Sequence, residues 1–320
     1  MNNLKISVIM SVYKEPLEWI AESVESILKQ TFKDFEFIII NDNPKRKELQ
    51  KFLEKYKKQD KRIVLIENRK NLGLTPSLNK GLKKAKGKYI ARMDADDISL
   101  PKRFQIQCNF LERNKDIFLC GTGAVRIDEK GKKIRDFYPI TNRKKIKKIL
   151  PNRNCFYHPT ILFRNEKRFY RDKFKYSQDY DLYLRLLLRN KKITNISNKL
   201  LLYRVNAQSI SNSKILKQNL FCEKAKKFYN QSKSKGKDEY KDFNPKEILE
   251  IKDKDFEKIK DKTILEQAIF SKFKINDFKK TRKICINYFK SFGYFNKIFI
   301  YYLASFLGEK MVNFLRKIVF

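Results

Sequence analysis

The chain contains no C-x-x-C pair, no glycine-rich phosphate loop and no apolar run long enough to span a bilayer. Each absence removes a class of protein. Cys108, Cys120, Cys155, Cys222 and Cys285 are odd in number and widely spaced, which fits neither a disulfide framework nor a zinc site and points to a reducing cytoplasm. Without G-x-G-x-x-G after the first apolar run, and without G-x-x-x-x-G-K-[ST], the dinucleotide dehydrogenases and P-loop NTPases drop out. Ser11–Glu15 holds no glycine either, which argues against a sugar-nucleotidyltransferase. The opening MNNLKISVIM lacks the basic region, long apolar stretch and cleavage site of a signal peptide. The apolar core of the last helical segment, Ile298–Leu307, is ten residues long, against the ~20 a spanning helix needs.

Charge is abundant: 74 Lys and Arg face 36 Asp and Glu, a net +38 over 320 residues. The excess is spread evenly, with +26 on residues 1–215 and +12 on residues 216–320. Lysine supplies most of it, and lysine is the weaker choice for bidentate recognition of phosphates or base edges. A lysine-rich solvated surface, with a general attraction to anionic surfaces but no nucleic-acid groove, is therefore expected.

Two periodicities alternate over the first hundred residues. Ile6–Val12, Phe35–Ile40, Arg62–Ile66 and Lys88–Met93 are short apolar runs of the kind found in strands covered on both faces. Between the first two, Leu17, Ile20, Val24, Ile27 and Leu28 recur at helical spacing, and Thr75-Pro76 has the form of a helix start with Thr75 as N-cap. The pattern predicts an α/β fold with a mostly parallel sheet, helices on both faces, and a ligand site beyond the carboxyl ends of the strands. Carboxylates gather at those ends: Glu15 after strand one, Asp42 after strand two, and Asp94, Asp96 and Asp97 after strand four. A basic helix near Lys144–Ile149 and a clear one over Ser177–Arg189, with Asp179 and Asp181 in its first turn, follow. Past Ser213 the polar stretch Gln231–Phe243 reads as a linker or exposed turn before further helices.

Mutual repulsion within Asp94-Ala95-Asp96-Asp97 calls for a cation, and hard oxygen ligands select Mg²⁺ or Mn²⁺ binding substrate phosphates. The structural alternative is an acidic loop in which Asp96 or Asp97 caps the next helix.

The segments ISVIMSVYKEP, IIINDNP, NLGLTPSLNKGL, YIARMDADDISLPKRF, HPTILFR, SQDYDLYLRL and LLYRVNAQSIS, in this order over roughly residues 4–213, resemble bacterial family 2 glycosyltransferases with the GT-A fold. The resemblance implies a Rossmann-like GT-A catalytic domain over residues 1–215 and a basic, aromatic-rich helical extension over 216–320. It implies that Ser11, Tyr13 and Glu15 line a nucleotide pocket, that Asp42 meets the base and that Asn71 approaches the nucleotide. Asp94 and Ala95 would lie against the donor, with Asp94 on the ribose or a metal-bound water. Asp96 would be the principal ligand of a Mn²⁺ or Mg²⁺ bridging the diphosphate, and Asp179 the base that deprotonates the acceptor, with Asp181 as rival. One carboxylate opposite the leaving group suffices for inversion. There are departures. Gln178 stands where the family commonly has Glu, Leu78 replaces an arginine of some relatives and leaves Lys80 as a substitute phosphate contact, and Asn206 stands where histidine is frequent. His158, the single histidine, is then either a metal or diphosphate contact or a half-buried ring packed before Pro159.

The expected activity is inverting transfer of a hexose or N-acetylhexosamine from a nucleoside diphosphate, UDP first, to a cell-surface or lipid-linked glycan. The expected location is cytoplasmic and peripheral at the inner face of the membrane. Residues 265–320 carry 11 basic and 3 acidic side chains among many aromatics, a composition suited either to an anionic leaflet or to a core helix. The competing view is an inactive basic scaffold or nucleic-acid binder on the same fold, marked by salt-resistant DNA affinity without turnover. Asp94, Asp96 and Asp179 together argue against such decay.

Overall fold

The computed structural model describes residues 4–166, 169–205, 214–252, 256, 259–293, 297–309 and 311–312. Strands β1 (Ile6–Val12), β2 (Phe35–Asn41), β3 (Ile63–Glu67) and β4 (Tyr89–Asp94) alternate with helices α1 (Leu17–Leu28), α2 (Lys47–Gln59) and α3 (Leu74–Lys84). The strands pair in parallel in the order β3-β2-β1-β4. Their continuous apolar runs have a direct cause, since a strand covered on both faces has no solvent side on which to alternate. Every residue of β2 is buried.

One face, carrying Ile6, Val8, Met10, Phe37 and Met93, packs on α1, α2 and α4 (Arg103–Arg113). The other receives α3. A methyl group at Gly81 would come within 2.7 Å of Ile9 Cγ2, so glycine there sets how closely α3 approaches the sheet.

The second half of the sheet is mixed. It contains β5 (Ile98–Ser99), β6 (Ile117–Ile127), β7 (Lys133–Phe137), β8 (Leu162–Arg164) and β9 (Lys192–Arg204). Strand β8 runs antiparallel between β4 and β6, β9 is parallel to β6 and antiparallel to β5, and β7 folds back on β6. Helices α5 (Arg143–Ile149) and α6 (Gln178–Leu188) flank this half. The outcome is an α/β fold with helices on both faces, its sheet parallel from β1 to β4.

The helix start expected at Thr75 lies elsewhere. Gly73 is the N-cap of α3, at φ 84°, and Thr75 Oγ1 instead donates to the carbonyl of Phe174 at 2.6 Å. A positive φ is inexpensive only for glycine, and the Asp42 carboxylate holds the Gly73 N–H in place.

The chain groups into two compact units, Met1–Ser209 with Ala225–Lys241, and Ile210–Lys224 with Asp242–Phe320. Helix α7 (Ile215–Lys235) contributes its residues from Ala225 onward to the first. The stretch 231–243 read as a linker is thus helical to Lys235. Beyond it, Asp238 pairs with Arg171 at 2.6 Å, and the Tyr240 ring lies 4.5 Å beneath the Arg171 guanidinium. The second unit contains α8 (Lys246–Leu249), α9 (Lys262–Lys274), α10 (Phe278–Phe292) and α11 (Lys297–Ala304) around Leu265, Ile269, Cys285, Tyr288 and Ile298. Among the described residues no helix is long and apolar enough to cross a membrane.

Candidate active site

Strand register assembles the site. Ser11 pairs with Asp94 and Val12 with Asn41, so the residues that follow all emerge at one carboxyl edge. Asp42 is 2% exposed. Its Oδ1 accepts from Asn68 Nδ2 at 2.7 Å and Leu72 N at 2.8 Å, and its Oδ2 from Gly73 N at 2.9 Å. Asn71 is exposed, and its Oδ1 also accepts from Gly73 N, at 2.9 Å. The carboxylate predicted to meet a base is thus committed on both oxygens to holding the loop from Asn68 to Gly73. Lys80, expected as a substitute phosphate contact, instead donates to Asn68 Oδ1 at 2.7 Å, and Leu78 is core.

The turn after β1 is equally constrained. Tyr13 is exposed, and its N–H donates to Glu15 Oε2 at 2.8 Å. Arg46 donates to the Glu15 carbonyl at 2.7 Å and Asn43 to that of Tyr13 at 3.1 Å. Burial, and to a lesser extent the charge of Asp94, pushes the Glu15 carboxyl above its usual range.

Four carboxylates meet at the end of β4. Asp94 is half-buried and paired with the buried Arg92. Ala95 is buried. Asp96 is pushed up to about 7, first by burial and then by Asp94 and Glu15. Asp97, fully buried, is pushed well above its usual value by burial and then by Asp96 and Asp94. Its Oδ1 accepts the Arg204 N–H at 2.9 Å, so it faces inward; α4 is capped at Lys102, and neither Asp96 nor Asp97 serves as its N-cap. Arg204 ties this corner together. Its Nε donates to the Asp96 carbonyl and Nη1 to that of Glu129, Nη2 pairs with Glu22, and its guanidinium lies 5.0 Å over Trp19.

Helix α6 forms another wall. Ser177 precedes it at φ 54°, a left-handed conformation that is uncommon for a residue other than glycine. Asp179 accepts from Asn154 Nδ2 at 2.9 Å. Burial raises its pKa against the lowering effect of its hydrogen bonds, and the charge of Asp94 raises it further. Asp181, the rival, is 1% exposed and held by Arg185 at 2.9 Å and Arg171 at 3.6 Å. Gln178 is buried.

His158 Nε2 lies 2.7 Å from the Tyr170 hydroxyl. Burial, then the charge of Arg92, holds the ring well below its usual pKa and hence neutral. Among the described residues no group of three His, Cys, Asp or Glu side chains is disposed to hold a metal. What the site offers is half-exposed carboxylates, Asp94 and Asp96, crowded by Glu15. Such a donor set fits a hard divalent cation that takes one or two protein oxygens and completes its shell from phosphate and water.

Sequence reasoning missed Arg92, Arg204, Asn154 and Tyr170. An arginine inside an apolar strand and another within YRVNAQSIS were visible signals. Asn154 and Tyr170 lie where no periodicity exists. Residues 206–213 of that last segment, Asn206 included, lie outside the described residues.

Residues 7–170 match the family model described as Glycosyl transferase family 2. An uncharacterized glycosyltransferase of Methanocaldococcus jannaschii is 40% identical over 225 residues, covering 69% of this chain and 78% of its own. The O-antigen biosynthesis glycosyltransferase WbnJ of Escherichia coli is 40% identical over 216 residues, 65% of this chain and 82% of its own. In fold, the crystal structure of S. aureus TarS 1-349 in complex with UDP-GlcNAc superposes with a TM-score of 0.55 at 14% identity, covering 88% of this chain and 83% of that one.

Proposed function

The chain belongs to glycosyl transferase family 2, and from that premise we propose an inverting, divalent-metal-dependent enzyme that moves a hexose or N-acetylhexosamine from UDP to a hydroxyl of a surface or lipid-linked glycan. One observation carries this reading: the charge of Asp94 raises the pKa of Asp179, so the prospective base lies near the carboxylates proposed to receive the donor. The acceptor oxygen attacks the anomeric carbon, the bond to the diphosphate breaks, and the hydroxyl proton passes to Asp179. Asn154 orients that carboxylate, and burial makes it a stronger base than a surface aspartate. Asp181 is left out because two arginines occupy it.

Ser11, Tyr13, Glu15, Asp42, Asn71, Asp94 and Ala95 would receive the nucleotide. A Mn²⁺ or Mg²⁺ held by Asp96 would offset the charge of the departing diphosphate. His158 is the weaker metal candidate, since its Nε2 is engaged with Tyr170. WbnJ acts in O-antigen synthesis and TarS has been seen with UDP-GlcNAc, which favours a UDP-sugar and a surface glycan. Incubating the protein with Mn²⁺ and a panel of nucleotide sugars tests this: one donor should release its nucleoside diphosphate, and Asp96→Ala and Asp179→Asn should abolish the release. Absence of binding to any donor, with or without metal, sinks the assignment.

The same reading places the enzyme peripherally on the inner leaflet, with residues 1–215 as the catalytic part and 216–320 as the attachment. Phe299, Ile300, Leu303, Phe306 and Leu307 are exposed on the second unit, and residues 265–320 around them carry 11 basic against 3 acidic side chains. Sedimentation with anionic vesicles should require residues 294–320; binding unaffected by their deletion rejects the attachment.

A further inference from the structure

Arg92 lies on β4, 2% exposed, on the face of the sheet that carries Ile9 and Ile90. Its Nη2 pairs with Asp94 Oδ1, while Nε and Nη1 are buried without a hydrogen-bond partner. Unmet donors on a buried charge weaken a fold, and an apolar side chain of similar volume would pack among these neighbours at lower cost. The core has no use for this guanidinium. Nor does its unpaired edge face a ligand subsite: the adjoining cavity, lined by Ile9, Leu78, Leu82, Phe163 and Tyr170, measures about 10 Å³. That is room for one water at most.

What the charge does reach is Asp94. We infer that Arg92 is a positioning residue for the donor, holding Asp94 Oδ1 from below so that Oδ2 meets the nucleotide sugar in one fixed orientation. Glu15 and Asp96 crowd the same carboxylate with like charge, so without a cation beneath it Asp94 would swing toward solvent. The inference rests on the glycosyltransferase reading for the ligand's identity but not for the geometry.

Arg92→Met tests it, with Arg92→Gln as a second variant should methionine not fold. The variant should melt no lower than wild type, bind UDP in Mn²⁺ about tenfold more weakly, and raise the donor KM more than it lowers kcat. Arg92→Lys should recover part of the affinity. Combined with Asp94→Asn, Arg92→Met should add no further loss. Its crystal structure should show the Asp94 carboxylate turned away. Wild-type affinity and KM in Arg92→Met, or losses that multiply in the double variant, overturn the inference. Were the wild type to bind no nucleotide, the family activity would be the part that fails, and an Asp94 unmoved in the Arg92→Met crystal would still overturn the positioning role.

Discussion

Replacing Asp42 by asparagine separates two jobs that one carboxylate performs. The family resemblance gives it a base to recognise; the hydrogen bonds give it a loop to hold. Asparagine is nearly isosteric, so packing is preserved. Its oxygen can take the place of Oδ1 and keep the Asn68 and Leu72 donors, but its amide nitrogen then faces the Gly73 N–H, donor against donor. The reverse flip is worse, because two donors lose their acceptor. One charge-assisted bond disappears and two become neutral, a loss of about 2–4 kcal/mol. That corresponds to a melting shift of roughly 5–15 °C in a unit of this size. The melt should be followed by circular dichroism without nucleotide, because a bound ligand stabilises by itself, and UDP affinity titrated separately. An unchanged apo melting point together with lost UDP affinity would refute the reasoning, since Asp42 would then act on the nucleotide alone.

Asp179→Asn should lower kcat by about 10²–10⁴ with little change in donor KM, and the wild-type acid limb should fall at an apparent pKa above the ordinary 3.8; a limb at or below that value contradicts the burial argument. Because its folded pKa lies above the unfolded one, Asp179 costs stability at neutral pH and the cost vanishes as pH falls below 3.8. Asp179→Asn should therefore melt at or above wild type at pH 7. Asp97→Asn should retain most activity and stability, since burial favours the neutral form of Asp97 and an amide oxygen can still accept the Arg204 N–H; a loss as large as that of Asp96→Asn would show that Asp97 works as a charge. Arg171→Ala should destabilise by about 2–4 kcal/mol in urea unfolding, because Asp181 and Asp238 lose a shared partner and the Tyr240 ring its cation. A change under about 0.5 kcal/mol would mean solvent replaces those contacts.

The parallel half of this fold was legible because its determinants are local. A strand covered on both faces must be apolar at every position, and a helix laid on it must repeat at 3.6, so β1 to β4 and the helices between them stand out in the chain. The carboxylate edge was legible for the same reason: Asp42 and Asp94 end or follow runs whose direction the alternation already sets. Strands β5 and β8, two and three residues long, carry no such pattern; they are strands because β9, β4 and β6 offer them partners. Thr75 had the chemistry of a cap, but an aspartate more than thirty positions earlier held Gly73 instead. Asp179 and Asp181 are indistinguishable in the chain. Two residues apart on a helix, they point different ways, and only the packing put Arg171 and Arg185 against Asp181 and Asn154 against Asp179. Sequence alone determined which chemistry the chain carries and at which strand ends; the tertiary structure decided which carboxylates face one another, because that depends on contacts between segments far apart along the chain.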